Sequence, residues 1–180
     1  MKTIAIAFFA LLSFSSISQV EKIKSRELDH LIFAKINEYR VSKGLKPFIA
    51  FEDSLMEQYS YRLTILNSER VGPIHSDSVG YYCNGECIFR YSATGTLNTV
   101  ISDVFEYDYE SIATEAVTHW INSPTHENIL SGKTFNVATV TSILVIDRKN
   151  KSIQFDTSLH TLEKEVLTSS KYRYKIKNRA

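Results

Sequence analysis

The chain has two cysteines in 180 residues, Cys83 and Cys87, and no second pair anywhere. That scarcity rules out a disulfide scaffold and a tetrathiolate metal centre. Beyond the N-terminal stretch no segment is apolar enough to cross a bilayer, which takes roughly 20 residues. Net charge is only +1, which argues against a general nucleic-acid binder. There is no HExxH-type motif to enforce a local metal site. Regular strand–helix alternation is missing too, so a doubly wound sheet is not expected.

What is present is an ordinary globular balance, 43% hydrophobic, 23% charged and 12% aromatic. At this length a single domain can bury its own core. The first residues, MKTIAIAFFALLSFSSISQV, read as a signal peptide. Lys2 supplies the positive start, Ile4 to Phe14 the apolar run, and Ser16 and Ser18 the small residues a peptidase reads. Cleavage is predicted near Ser18–Gln19, which makes 1–18 the leader of an exported protein. Its destination is the periplasm, the cell surface or the medium.

Export favours a Cys83–Cys87 disulfide across CNGEC, with Gly85 allowing a sharp bend; a thiolate metal pair is the competing reading. Charge is unevenly spread. Residues 19–160 hold 14 basic and 18 acidic side chains, whereas 161–180 hold six and two. The tail KYRYKIKNR (171–179) alternates charge with Tyr or Ile. It reads as a lysine-protected edge strand or frayed end, or as a contact for an anionic cell surface.

Apolar periodicity predicts helices over 26–44 and 51–66, the second capped by Asp53 or Ser54. Residues 67–95 collect Gly, Pro, Ser, Asp and Asn and read as loop. LNTVISDVF (97–105) reads as a short helix. SIATEAVTHWI (111–121) carries a continuous apolar stripe. Ser123 can then cap, and Pro124 start, a second short helix through Leu130. FNVATVTSILVI (135–146) and KSIQFDTSLH (151–160) read as a hairpin turned by DRKN. The expected class is α+β.

Of the five histidines, His75 in GPIHSDS and His126 in SPTHENIL sit where regular structure breaks, as binding residues often do. Glu86 between the cysteines is the third candidate. His30, His119 and His160 read as surface or packing residues. Two imidazoles and a carboxylate in one cleft could hold zinc with an open position, or serve acid–base chemistry.

The ordered series INEYRVSKGLKPF (36–48), IHS (74–76), NGECI (84–88), WINSPTHENIL (120–130), FNVATV (135–140) and FDTSL (155–159) resembles the CAP superfamily. These are the cysteine-rich secretory, antigen 5 and pathogenesis-related proteins, here in a small bacterial secreted form. The resemblance covers roughly 30–160, leaving 19–29 as a lead-in and 161–180 as a basic extension. It implies a three-layer α-β-α sandwich with a central cleft. By the family pattern, His75 and His126 are the cleft histidines, which bind zinc in some members. Glu86 is then the cleft glutamate, and Asn37, Arg40, Trp120 and Ser123 occupy structural motif positions.

Three departures stand out. Cys87 replaces the Asn of Gly-Glu-Asn, SPTHENIL is one residue short of the usual spacing, and Ser123 stands where many eukaryotic members have a second glutamate. The resemblance therefore implies a non-catalytic cleft module for a lipid, glycan or protein partner. A His/His/Glu metal-dependent hydrolase or peptidase, or a surface protein with a decayed site, is the alternative.

Overall fold

The computed structural model describes residues 20–51, 55–75, 85–94, 108–150 and 152–163. Its elements are β1 (Val20–Lys24), α1 (Arg26–Ser42), β2 (Ile49–Ala50), α2 (Leu55–Ser68) and β3 (Gly85–Thr94). After these come α3 (Tyr109–Ile121), α4 (Pro124–Leu130), β4 (Phe135–Asp147) and β5 (Ser152–Glu163). The sheet runs β1-β4-β5-β3, all antiparallel, and short β2 pairs in parallel with the outer edge of β4. Helices lie on both faces, so the expected α+β class is what the chain adopts.

The two faces differ in chemistry because strand side chains alternate. On one face Cys87, Phe89, Ala138, Val140, Leu144, Phe155 and Leu159 meet the apolar stripes of α1 and α3. Leu28, Ile32 and Ile36 form the first stripe, and Ile112, Ala113, Ala116, Val117 and Trp120 the second. This is the main core. On the other face α2 brings down Ser60, Thr64 and Asn67 against Thr141, Asp156, Ser158 and His160, all buried. Hydroxyls bond across that layer, Ser60 to Thr141 at 2.6 Å and Thr64 to Ser158 at 2.6 Å. A small apolar group of Met56, Val137 and Leu162 closes one end. Burying so many polar groups is tolerable only because they pair.

The Leu28–Ile32–Ile36 row of α1 continues, at the same spacing, to Arg40. That position is 2% exposed, and burial holds the guanidinium below its ordinary pKa. It faces carbonyls rather than a carboxylate. Nε donates to Lys46 O at 2.9 Å, one terminal nitrogen to Leu130 O at 2.6 Å and Gly132 O at 3.2 Å, and the other to Phe135 O at 3.2 Å. Phe48 stacks under it at 3.8 Å. Asn37 adds a two-way clasp, accepting from Phe48 N at 2.7 Å and donating to Phe48 O at 3.2 Å. Gly44, at φ 73°, ends α1 as its position in the sequence indicates.

Several elements match their sequence reading closely. Helix α4 spans 124–130 with Pro at its first turn, although Ser123, its N-cap residue, makes no side-chain capping bond. The hairpin turns at 148–150. The loop expected over 67–95 is wrong from residue 85 on, where β3 runs as an edge strand paired to β5. Alternation of Cys87, Phe89 and Tyr91 against Glu86, Ile88 and Arg90 carries that signal, masked by the turn-forming residues before it. The sheet also takes in Val20–Lys24 and runs on to Glu163, on either side of 30–160. The signal peptide, the 53–54 cap, the 97–105 helix and the 171–179 tail lie outside the described residues.

Buried charge makes stability testable at two positions. Arg40→Lys keeps the charge but loses the fork that reaches three places at once. It should cost about 2–3 kcal/mol in urea unfolding, with little change in slope. Asp29, 9% exposed with Oδ1 unpartnered, has its carboxyl pushed by burial from 3.8 up to about 7. The folded state keeps this proton after the unfolded chain has released it. Stability should therefore fall by a few kcal/mol as pH rises from about 4 to about 7, then level off. Asp29→Asn should flatten that part of the profile and be the more stable protein at pH 8.

Candidate functional site

Strand β3 starts the site. Among the described residues it has one strand neighbour, β5, so its outer edge needs other partners. Trp120 Nε1 is one, donating to Ile88 O at 3.0 Å. Gly85 sits where β3 passes closest to α4. A Cβ there would come within 2.7 Å of Thr161 Oγ1 and 2.9 Å of Ile129 Cγ2. This glycine therefore serves close packing, not the expected bend. With β3 extended from Gly85 onward, Cys87 turns into the apolar core. It is a free thiol, fully buried, and burial pushes its pKa well up. The expected Cys83–Cys87 disulfide is thus corrected for the described residue, Cys87; Cys83 lies outside the described residues.

Glu86 points to the opposite face from Cys87. Its side chain is 2% exposed, and each carboxylate oxygen meets an imidazole. Oε2 lies 2.8 Å from His75 Nδ1, and Oε1 lies 2.9 Å from His160 Nε2. His160 is 0% exposed, with Nδ1 2.7 Å from Ser60 Oγ and Tyr59 packed edge-on against its ring at 5.7 Å. A hydrogen-bonded row thus runs from the hydroxyl layer under α2, through His160 and Glu86, to His75, whose side chain is 57% exposed.

His126 arrives from α4 on the other side of the β3 edge. Its ring centre is 5.7 Å from that of His75 and 6.4 Å from that of His119, which leans on Phe89 at 5.5 Å. Burial chiefly, then His75 and His119, lower its pKa, so His126 is neutral at neutral pH. Its Nδ1 is buried with no partner. The Ser-Pro break after Trp120 redirects the chain and brings this imidazole round beside His75.

The structure therefore unites the three candidates, His75, Glu86 and His126, and adds two histidines that the sequence reading assigns to the surface or to packing. His119 joins the imidazole group. His160 is a buried partner of Glu86. Its signal is present in the alternation of FDTSLH, which puts it on the same face as Asp156 and Ser158. His30 lies apart, on α1.

The donor set does not fit three-ligand zinc. Both Glu86 oxygens are already engaged by imidazoles, and among the described residues no three His, Cys, Asp or Glu side chains are arranged to hold a metal. Ser60, His160 and Glu86 are linked in the order of a hydrolase triad. Ser60, however, is 0% exposed beneath α2, where no substrate reaches it.

No protein-family model matches the chain, and no curated protein does. Among solved structures, the chain is similar to an outer surface protein from Borrelia burgdorferi. The match has a TM-score of 0.53 at 16% identity, covering 80% of this chain and 98% of that one. A cysteine-rich secretory protein from Staphylococcus aureus subsp. aureus Mu50 gives a TM-score of 0.45 at 13% identity. That match covers 76% of this chain and 38% of the other. No described helix is long and apolar enough to cross a membrane. The first of these likenesses establishes a shared fold with a bacterial surface protein.

Proposed function

We propose that this is an exported, CAP-type binding module whose cleft is floored by His75, Glu86 and His126, and that it is not an enzyme. The observation that carries this reading is the double engagement of Glu86. A general base or a metal-bound carboxylate must offer an oxygen to substrate or metal. Here His75 and His160 take both oxygens of a carboxylate that is almost wholly buried. Glu86 then acts as a fixed anion that orients His75, and the exposed imidazole is the part that meets a ligand.

His126 suits the same role. Kept neutral by burial and by its histidine neighbours, its half-buried ring turns Nδ1 inward, so the ring's other nitrogen is the one left to hydrogen-bond a ligand. A lipid headgroup, a glycan hydroxyl or a peptide amide has that chemistry. The sequence pattern from Asn37–Arg40 through Ser123–His126 and the observed clasp of Asn37 and Arg40 support the CAP assignment. The signal-peptide reading and the fold shared with a surface protein support export.

Zinc calorimetry on the full chain beside His75→Ala/His126→Ala tests the reading. Two open imidazoles should give binding no tighter than micromolar. One equivalent bound tightly and lost in the double variant would instead return a metal-dependent hydrolase to first place.

His160→Asn tests the support of the site. Glu86 should lose a charge-assisted bond, costing about 1.5–3 kcal/mol in urea unfolding. The His75 ring protons should change chemical shift in NMR, because Glu86 loses the contact that fixes its other oxygen. A destabilised variant with unmoved His75 ring signals would make His160 a packing residue only.

A further inference from the structure

Between the end of α2 and His75 the chain makes a turn, SERVGPI (68–74), that is held from beneath. Arg90 of β3 donates from Nε to the buried Asp156 at 2.7 Å. Its terminal nitrogens donate to three carbonyls of the turn, Asn67 O at 2.5 Å, Arg70 O at 2.8 Å and Val71 O at 3.1 Å. Asn67, itself buried, accepts from Ile74 N through Oδ1 at 3.0 Å. Gln154 adds a bond to Ser68 O at 3.3 Å. Pro73 fixes its own φ and so removes one more freedom.

A turn fixed in this way displays whatever side chains it carries. Val71, Gly72, Pro73 and Ile74 have none that can hydrogen-bond. Val71 is fully exposed, Ile74 is 58% exposed, and Leu66 is exposed at the end of α2. Arg70 in the turn and Arg62, one helical turn before Leu66, are exposed as well. Neither guanidinium has a partner among the described residues, whereas nearby Glu69 is met by Lys22. Surface turns are ordinarily built of polar residues. An aliphatic tip held out beside unpaired arginines marks a contact surface. The geometry points to this turn as an anchor on an anionic lipid bilayer. Val71 and Ile74 enter between the headgroups, and Arg62 and Arg70 meet lipid phosphates.

Shape and charge select this occupant. A stable protein contact buries about 800 Å² on each partner, and a projecting turn with two aliphatic side chains offers far less. A second copy related by a twofold axis would set arginines against arginines. A bilayer needs no matching surface, accepts a convex apolar tip and supplies the anions. So small a wedge gives reversible, salt-sensitive attachment. Because Ile74 directly precedes His75, docking carries the exposed side of the histidine cluster toward headgroup level.

The test is sedimentation of the full chain with vesicles of phosphatidylcholine and phosphatidylglycerol in equal parts, beside vesicles of phosphatidylcholine alone. Binding is expected on the anionic vesicles. It should weaken roughly tenfold in Val71→Ser/Ile74→Ser and about fivefold in Arg70→Gln. In Val71→Trp the new indole should shift its emission to the blue and be quenched by brominated lipid. Trp120, buried in the core, supplies a constant background. All these positions are exposed, so the variants should fold as the native chain does.

The proposal is overturned by no binding to anionic vesicles, by equal binding to phosphatidylcholine alone, or by an unquenched Val71→Trp. Native-like binding of the double variant also overturns it, since attachment would then lie elsewhere on the chain, the 171–179 stretch included. If vesicles fail and the native chain self-associates where the double variant does not, the patch is instead a contact between copies. None of these outcomes involves a change at His75, Glu86 or His126, so this proposal and the cleft reading fail independently.

Discussion

The fold is organised around one buried cation. Arg40 stands where the apolar row of α1 would place another aliphatic residue, and its guanidinium reaches the loop before β2, the end of α4 and the start of β4 together. The last carbonyls of a helix have no donor within it, and they concentrate partial negative charge where this cation sits. Helix α4, which carries His126, is thus anchored, through Leu130, to a residue on a helix far back in the sequence. The position of the candidate site follows from this anchoring.

Around that anchor the sheet keeps its apolar and polar chemistry on separate faces. The α1–α3 face supplies the hydrophobic driving force, with Trp120 fully buried and bonded to the edge of β3. The α2 face supplies a network of hydroxyls that ends in His160 and Glu86. The separation explains how a carboxylate can be buried at the sheet edge. It is met by imidazoles, and behind His160 stands a hydroxyl that stabilises the ring's other nitrogen.

How much of this is legible in the sequence depends on the range of the interactions. Helices α1, α3 and α4 are readable because their signals are local: a 3.6-residue stripe, a glycine stop, a proline start. The β4–β5 hairpin is readable for the same reason. Strand β3 escapes because its pairing partner lies far along the chain, and turn residues upstream obscure its alternation. Asn37, Arg40, His75, Glu86 and His126 come from a pattern of fragments, and the structure gathers the last three at one edge. His160 is hard to pick out because a histidine in an alternating strand looks the same whether its face is wet or packed. Only the polar character of the α2 layer, a property of two distant segments, separates these cases. The bend assigned to Gly85 fails similarly, since what constrains that position is Ile129 on another helix.

The hydroxyl layer has a consequence for how the molecule comes apart. An interface sealed by apolar contact resists opening in proportion to the hydrocarbon it would wet. The interface of α2 with the sheet is mostly Ser, Thr and Asn, groups that water can satisfy nearly as well as their present partners do. Lifting α2 would expose Met56, Val137 and Leu162 and the aliphatic Ile88, Ile143 and Val145 on the same sheet face, less hydrocarbon than the α1–α3 core holds, so its detachment is a sub-global opening less sensitive to denaturant than unfolding of the whole chain. The helix shielding Ser60 and His160 is thus the one whose release would wet them while the α1–α3 core stays closed.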